Sequence, residues 1–110
     1  MKFARRQPGK MNRYEGMYLE QILQPLLSSG EALKILYEGI TLKLADRLRY
    51  TPDFTVILSD GTVEFHEVKG FWKDDAKAKI KMAAAIFPAR FVAAVPKIRK
   101  AGTTWTYTEF

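Results

Sequence analysis

The sequence predicts an α/β (α+β) fold in which a mixed sheet is flanked by helices. Three observations predict it: two stretches with helical spacing of apolar residues, several short runs rich in β-branched and aromatic residues, and a turn signal between two of those runs. The predicted order is α-β-β-β-α-β, followed by a candidate edge strand. At 110 residues the chain is expected to form one domain around one core.

The N-terminal residues 1–11, MKFARRQPGKM, are basic and contain Pro8-Gly9. A Pro-Gly pair in a polar, terminal segment is typical of irregular chain, so these residues are expected to form a flexible arm. The single domain is then expected to occupy residues 12–110.

The first helix is expected over about residues 13–27. Asn12 suits its N-cap, and Glu15, three residues later, completes the pattern of a capping box. Gly30 suits the C-terminal cap. Pro25 lies inside this span, which predicts either a kink or an earlier end to the helix.

Strand-like runs follow at residues 35–44 (ILYEGITLKL) and 50–58 (YTPDFTVIL). The second run is joined through Ser-Asp-Gly to residues 62–69 (TVEFHEVK), and this combination predicts a β-hairpin.

The second helix is expected at residues 73–87, where alanines, Ile80 and Phe87 share one face and lysines occupy the rest. Residues 90–95 are apolar throughout, as expected for a strand that is covered on both faces. Residues 103–110 alternate aromatic residues with threonine, which suits an edge strand.

The hairpin carries charged residues, which a sheet interior normally excludes. Glu67 and Lys69 project from one side of their strand because side chains alternate. A two-residue turn would pair Phe54 with Glu67 and put Asp53 on the opposite face. A three-residue loop instead pairs Asp53 with Glu67, and it requires a positive φ at Gly61, or else a compensating bulge just before Asp53.

In that second register, two carboxylates and an ammonium group share one patch. Two carboxylates so close repel each other, and a hard divalent cation such as Mg²⁺ resolves the repulsion because it prefers oxygen ligands. Lys69 beside the cation could orient or help to deprotonate a water and offset charge on a phosphate, which describes phosphodiester hydrolysis. The alternative is a cross-strand salt bridge on a wet face, which stabilises little.

Pro52-Asp53 followed after the hairpin by Glu67-Val68-Lys69 resembles the PD-(D/E)XK nuclease signature. This superfamily includes restriction endonucleases and Holliday-junction resolvases. Residues 12–95 are also similar to a family of small phage-encoded proteins assigned to it. The resemblance implies a restriction-endonuclease-like core, metal ligation by Asp53 and Glu67, and a catalytic role for Lys69.

Members of this superfamily often add a carboxylate from the first helix, and Glu15 and Glu20 are the candidates here. At about 100° per residue, the apolar residues of this helix are centred close to Glu15, whereas Glu20 points to the wet face. Glu15 is therefore the expected third catalytic carboxylate and metal ligand. Its alternative role is the capping box, and the two roles are compatible.

A formal net charge of +6 favours a polyanionic partner, and DNA is the first candidate. Lys79 lies nearest the apolar face of the second helix and is the best neighbour of the site. The alternatives are a solvated lysine face and an arm without function. The candidate DNA-binding residues are Lys73, Lys77, Lys79, Lys81, Arg5, Arg6 and Arg13.

Other residue types limit the chemistry. The chain has no cysteine and one histidine, His66, which strand alternation puts opposite Glu67 in a structural role. No nucleotide-binding glycine loop, membrane span or signal peptide is evident, so a cytoplasmic protein with no nucleotide cofactor and no membrane partner is expected, acting in the bacterial host if it is phage-encoded.

These observations together predict a Mg²⁺-dependent endonuclease acting on DNA, with Mn²⁺ as a substitute cofactor. Cleaving both strands requires two sites, so a homodimer is expected. Branched DNA, such as a Holliday junction, is the favoured substrate, by analogy with phage resolvases. The alternative is a non-catalytic DNA-binding or protein-interaction module of a phage replication or packaging complex.

Overall fold

A computed structural model describes residues 2–5, 9–71 and 73–110 of the chain. Its helical segments are α1 (Arg13–Tyr18), a π-helical turn (Leu19–Leu23), α2 (Gln24–Ser29) and α3 (Asp74–Ile86). Its strands are β1 (Lys2–Arg5), β2 (Ala32–Tyr37), β3 (Ile40–Ala45), β4 (Leu48–Tyr50), β5 (Phe54–Leu58), β6 (Val63–Val68), β7 (Arg90–Arg99) and β8 (Gly102–Glu109).

Five strands form the main sheet in the order β2-β5-β6-β7-β8. β6 and β7 are parallel, whereas the other three pairs are antiparallel. The parallel pair is joined through α3, because parallel neighbours need a long crossover connection. The predicted mixed sheet with flanking helices is therefore confirmed, and the fold is α+β.

The first helix, residues 13–29, is continuous through α1, the π-helical turn and α2. The predicted capping box is present: the Asn12 side chain accepts from the Glu15 N–H, and Glu15 accepts from the Asn12 N–H. Pro25 does not end the helix, because the π-helical turn before it widens the backbone where proline removes a donor. Gly30 ends it with φ 82°, as predicted.

A second, three-stranded sheet has the order β1-β3-β4. The prediction of one strand over residues 35–44 is wrong, because the chain turns at Glu38-Gly39 and β3 leaves the main sheet. Glu38 has φ 45° there, and a Cβ on Gly39 would lie 2.9 Å from Cβ of Leu36. A continuous apolar pattern conceals this turn, since both halves read as strand.

The N-terminal segment that was predicted to be a flexible arm contains strand β1. Lys2–Arg5 pairs with β3, and Phe3 is the register partner of Leu42. Met1 and residues 6–8 lie outside the described part of the chain.

The main sheet has a core on each face. On the face of the first helix, Tyr18, Phe54 and Val56 are fully buried. On the opposite face, Ile80 of α3 packs in one cluster with Phe65 and Phe91. Burying each such apolar side chain stabilises the fold by about 1.5–3 kcal/mol, so helices are packed firmly against both faces of the sheet.

The C-terminal half follows the prediction closely. α3 begins at Asp74, and β7 is buried at residues 91–94. β8 forms an edge of the main sheet. Among the described residues, no helix is both long and apolar enough to cross a membrane.

Candidate active site

The β5–β6 hairpin sets the register of the charged residues. Phe54 pairs with His66 and Thr55 with Phe65, so the same register brings Asp53 opposite Glu67. The Leu58 N–H donates to the Thr62 carbonyl at 2.8 Å, which closes a three-residue loop over residues 59–61. Gly61 has φ 88°. The predicted loop type and the positive φ are therefore confirmed. Strand alternation puts Glu67 on the same face as Phe65, which α3 covers, whereas the Asp53 carboxylate lies beside Glu15 of the first helix.

Glu67 is buried and has three close partners. Its Oε1 accepts from the Asp53 backbone N–H at 3.0 Å and from the Tyr50 hydroxyl at 3.1 Å. Its Oε2 lies 3.3 Å from Nζ of Lys69, whose side chain is 31% exposed. A charge-assisted contact of this length holds the ammonium group beside the carboxylate while leaving it in reach of solvent. The pair is thus not a salt bridge on a wet face, because Glu67 is enclosed.

Asp53 lies between this pair and a second acidic group. Its Oδ2 accepts from the Val68 N–H at 2.8 Å, which ties it to β6. On its other side, one carboxylate oxygen each from Asp53, Glu15 and Glu38 lie within 4.8 Å of one another. We call these three residues the acidic cluster. Glu67 does not belong to it, so the structure divides the predicted ligands between two neighbouring sets that share Asp53.

Glu38 is the member of the acidic cluster that the sequence prediction missed. Its N–H donates to the Asp53 carbonyl at 2.8 Å, and its Oε1 accepts from the Gly9 N–H at 2.9 Å. The available signal was the Glu-Gly pair between two apolar runs, which marks a turn. That signal could indicate the turn, but it could not indicate that the turn approaches Asp53.

Glu15 lies where both of its predicted roles, helix capping and metal ligation, would place it. It is buried, and its Oε1 accepts from the Asn12 N–H at 2.8 Å and from the Tyr37 hydroxyl at 2.8 Å. It therefore caps the first helix and also belongs to the acidic cluster. Glu20 is exposed, as predicted.

Burial makes the ionised forms of the Asp53 and Glu67 carboxyl groups unfavourable. Burial, which is the larger cause, and the negative charge of Glu67 together raise the pKa of Asp53 from 3.8 to about 8. Burial also raises the pKa of Glu67, and the ammonium group of Lys69 opposes that shift. Burial and the Glu67 charge raise the pKa of Tyr50, so its hydroxyl remains a donor. In the absence of a cation, burial and the neighbouring charge therefore favour the protonated form of Asp53 up to about pH 8.

The donor set of the acidic cluster suits a hard divalent cation. It offers three carboxylates, and Mg²⁺ and Mn²⁺ favour oxygen ligands. A cation there would favour the ionised form of Asp53 and so oppose the effects of burial and of the Glu67 charge on its pKa. The acidic cluster could therefore hold such a cation, although Glu67, the second ligand that the motif implies, lies outside it.

A cleft of about 300 Å³ opens beside Glu67 and Lys69. Arg49 and Lys79 also line it, together with Asp75 at the start of α3. Lys79 was the predicted neighbour of the site, whereas Arg49 was missed because its short strand, β4, had no clear signal of its own. Three cationic side chains at one opening favour an anionic ligand such as a phosphate.

The other predicted DNA-binding residues are distributed around this cleft and beyond it. Lys73, Lys77, Lys81 and Arg13 are exposed and do not line the cleft. Arg5 is the last residue of β1, and Arg6 lies outside the described residues.

His66 lies on the opposite face of the sheet, as predicted. Its Nδ1 is 2.6 Å from the Tyr18 hydroxyl and its Nε2 is 2.9 Å from Oε1 of Glu64. Burial lowers the pKa of His66, so the neutral ring accepts from Tyr18 and donates to Glu64. Arg90 also contacts Glu64, at 3.1 Å. This buried network is internally satisfied and joins the first helix to the sheet.

Comparison with known proteins found no matching family model, no matching curated protein and no matching solved structure. The resemblance to the PD-(D/E)XK nucleases therefore depends on the motif residues and on their geometry in this chain.

Proposed function

We propose that this protein is a Mg²⁺-dependent DNA endonuclease of the PD-(D/E)XK type, built on a restriction-endonuclease-like core. The observation that carries the proposal is the register of the β5–β6 hairpin. It brings Asp53 opposite Glu67 and leaves Lys69 in contact with Glu67, beside a cleft with cationic walls. A structural salt bridge would not require a buried acidic cluster next to it.

Asp53, Glu67 and Glu15 are the proposed metal ligands, and Glu38 is added to them on the strength of its distance from Asp53 and Glu15. Asp53 is the residue that both acidic sets share, so it should contribute most to cation affinity. When bound, Mg²⁺ supplies Lewis-acid polarisation of a phosphate oxygen and lowers the pKa of a bound water.

Lys69 is the proposed catalytic cation. Its Nζ is held 3.3 Å from Glu67 Oε2 but remains partly open to the cleft. From there it can donate to an attacking water or to a phosphate oxygen as negative charge develops. Its contact with Glu67 fixes its direction, so that little reorganisation is needed when a phosphodiester enters.

The DNA backbone is proposed to enter the cleft between β4 and α3. Arg49 and Lys79 would neutralise phosphates on either side of the one that is cleaved, and the exposed lysines of α3 would extend this path. The residues that the structure describes form one such site, so cleavage of two strands calls for a homodimer. Branched DNA remains the favoured substrate by analogy with phage resolvases.

A cleavage panel tests the proposal. Labelled junction, flap, duplex and single-stranded DNA are incubated with the purified chain in Mg²⁺, Mn²⁺ or EDTA. We expect cleavage in either metal and none in EDTA. Lys69→Ala should slow cleavage by about 10²–10⁴-fold, the usual contribution of a positioned acid or base. Lys97→Ala, at an exposed lysine of β7 that does not line the cleft, is the matched control and should cleave at nearly the parental rate.

Metal binding is measured separately by calorimetry with Mn²⁺. Glu38→Gln and Glu15→Gln should both weaken Mn²⁺ binding. Glu20→Gln is the matched control, because it makes the same change at an exposed residue of the first helix, and it should leave Mn²⁺ binding unchanged. Equal cleavage by Lys69→Ala and the parent would remove the catalytic assignment. DNA binding without cleavage in any metal would favour the non-catalytic DNA-binding module instead.

A further inference from the structure

The free edge of strand β8 has the pattern of a self-pairing surface. Its eight residues, Gly102–Glu109, pair with β7 in one unbroken register from Val92–Glu109 to Arg99–Gly102. On its other side, no strand of the described chain pairs with it. At about 3.4 Å per residue, the edge is roughly 27 Å long.

The hydrogen-bond phase shows which backbone groups are available. The Phe110 N–H donates to the Phe91 carbonyl at 3.0 Å, so this pair is a hydrogen-bonded pair of the ladder. Bonded and non-bonded pairs alternate in antiparallel strands. The N–H and C=O groups that point away from β7 therefore belong to the residues Thr103, Trp105, Tyr107 and Glu109. Pro96 agrees with this phase, because it lies opposite Trp105 in a non-bonded pair.

Natural edges are usually protected against pairing by lysine, proline or a bulge. The opposite edge strand, β2, has such protection, with Lys34 and a register shift between Ala32 and Lys34. β8 contains none of the three, and its composition of threonine and aromatic residues favours strand pairing. The two edges of one sheet thus differ in the feature that controls association.

The geometry points to a homodimer in which β8 pairs antiparallel with β8 of a second copy, joining two main sheets into one. A two-fold axis at Thr106 uses all the outward groups at once: Trp105 pairs with Tyr107 of the second copy, and Thr103 with Glu109. Trp105 and Tyr107 would form a cross-strand aromatic pair on each side of the axis. On the opposite face, threonines would lie against threonines.

The charges on β8 are compatible with a second copy as the occupant. Glu109 is the one charged residue of β8, and its carboxylate is already paired with Arg90 of its own chain. The remaining residues of β8 are uncharged, so no like charges face each other. Two chains of net charge +6 repel at long range, and salt screens that repulsion.

Sedimentation velocity over about 1–100 µM protein tests the inference, because this range covers micromolar dissociation constants. The parent should shift from monomer to dimer across this range. Thr106→Lys places two lysines against each other on the axis and should leave only monomer, and Thr106→Glu should do the same. An equimolar mixture of the two variants should restore the dimer. Thr62→Lys, an exposed threonine in the β5–β6 loop, is the matched control and should dimerise like the parent.

Circular dichroism and thermal unfolding of each variant show whether the monomer is folded, since Thr106 is exposed and its own backbone groups bond β7. A parent that stays monomeric at every concentration overturns the inference. So does a dimer that persists in Thr106→Lys, or one that the mixture fails to restore. The inference rests on the homodimer that the proposed function calls for, but the measurement needs neither metal nor DNA. A monomeric parent would overturn this interface, whereas metal-dependent cleavage by the single chain would still test the nuclease assignment.

Discussion

Replacing Asp53 by asparagine should stabilise the metal-free protein at alkaline pH. Asp53 is 8% exposed, and burial together with the charge of Glu67 raises its pKa from 3.8 to about 8. Each unit corresponds to about 1.4 kcal/mol, so the ionised carboxylate opposes folding by roughly 6 kcal/mol at most. The asparagine side chain can still accept from the Val68 N–H, so the local structure should be retained.

The sign follows from proton binding. Between pH 3.8 and about 8, folded Asp53 keeps a proton that the unfolded chain has released. The free energy of unfolding of the parent therefore falls as the pH rises through this window, and it is lowest above it. The Asp53→Asn variant lacks this titration, so its stability should change less over the same window. We expect the variant to exceed the parent by a few kcal/mol at pH 8.5.

Urea unfolding in EDTA at several pH values between 5 and about 9 measures this difference. Asp46→Asn, at an exposed turn, is the control and should follow the parent. Adding Mg²⁺ should stabilise the parent, by about 2.7 kcal/mol at a concentration 100 times the dissociation constant, and should stabilise the variant less. The reasoning is refuted if Asp53→Asn is less stable than the parent at pH 8.5, or if Mg²⁺ stabilises both proteins equally.

Three further outcomes follow from the fold. Ile80→Ala should lower the free energy of unfolding by about 2–5 kcal/mol in urea titrations, because Ile80 is 1% exposed in the core under α3. Gly61→Ala should lower the free energy of unfolding by about 1–2 kcal/mol, since a φ of 88° is strained for any residue with a Cβ. The opposite exchange, Ala78→Gly on the exposed face of α3, should lower it by about 1 kcal/mol because glycine is a poor helix former. Burial lowers the pKa of His66 below 6.5, so the unfolded chain binds a proton before the folded chain does as the pH falls. The melting temperature of the parent should therefore decrease as the pH drops through 6.5, and that of His66→Gln should decrease less.

The hairpin at the site could be predicted because its register depends on local chemistry. A Ser-Asp-Gly loop with a positive φ at glycine fixes which residues face each other, and these residues are adjacent in the sequence. The capping box was predictable for the same reason, since Asn12 and Glu15 are three residues apart. Local rules therefore gave Asp53, Glu67 and Lys69 their correct neighbours.

Glu38 and Arg49 could not be predicted because their positions depend on the second sheet. The turn at Glu38 occurs where β3 leaves the main sheet to pair with β1 and β4, and nothing in the apolar pattern of residues 35–44 distinguishes the two sheets. Arg49 reaches the cleft only because β4 packs near α3. Both residues reach the site through pairings between distant parts of the chain.

The division of the site between local and distant residues has a kinetic consequence. Asp53, Glu67 and Lys69 come from one hairpin, which closes a short loop and can form early in folding. Glu15 and Glu38 arrive only when the first helix and the β2–β3 turn dock against it. Mutual repulsion among the carboxylates should therefore be concentrated in this final docking step, and a divalent cation present during refolding should accelerate docking and leave hairpin closure unchanged.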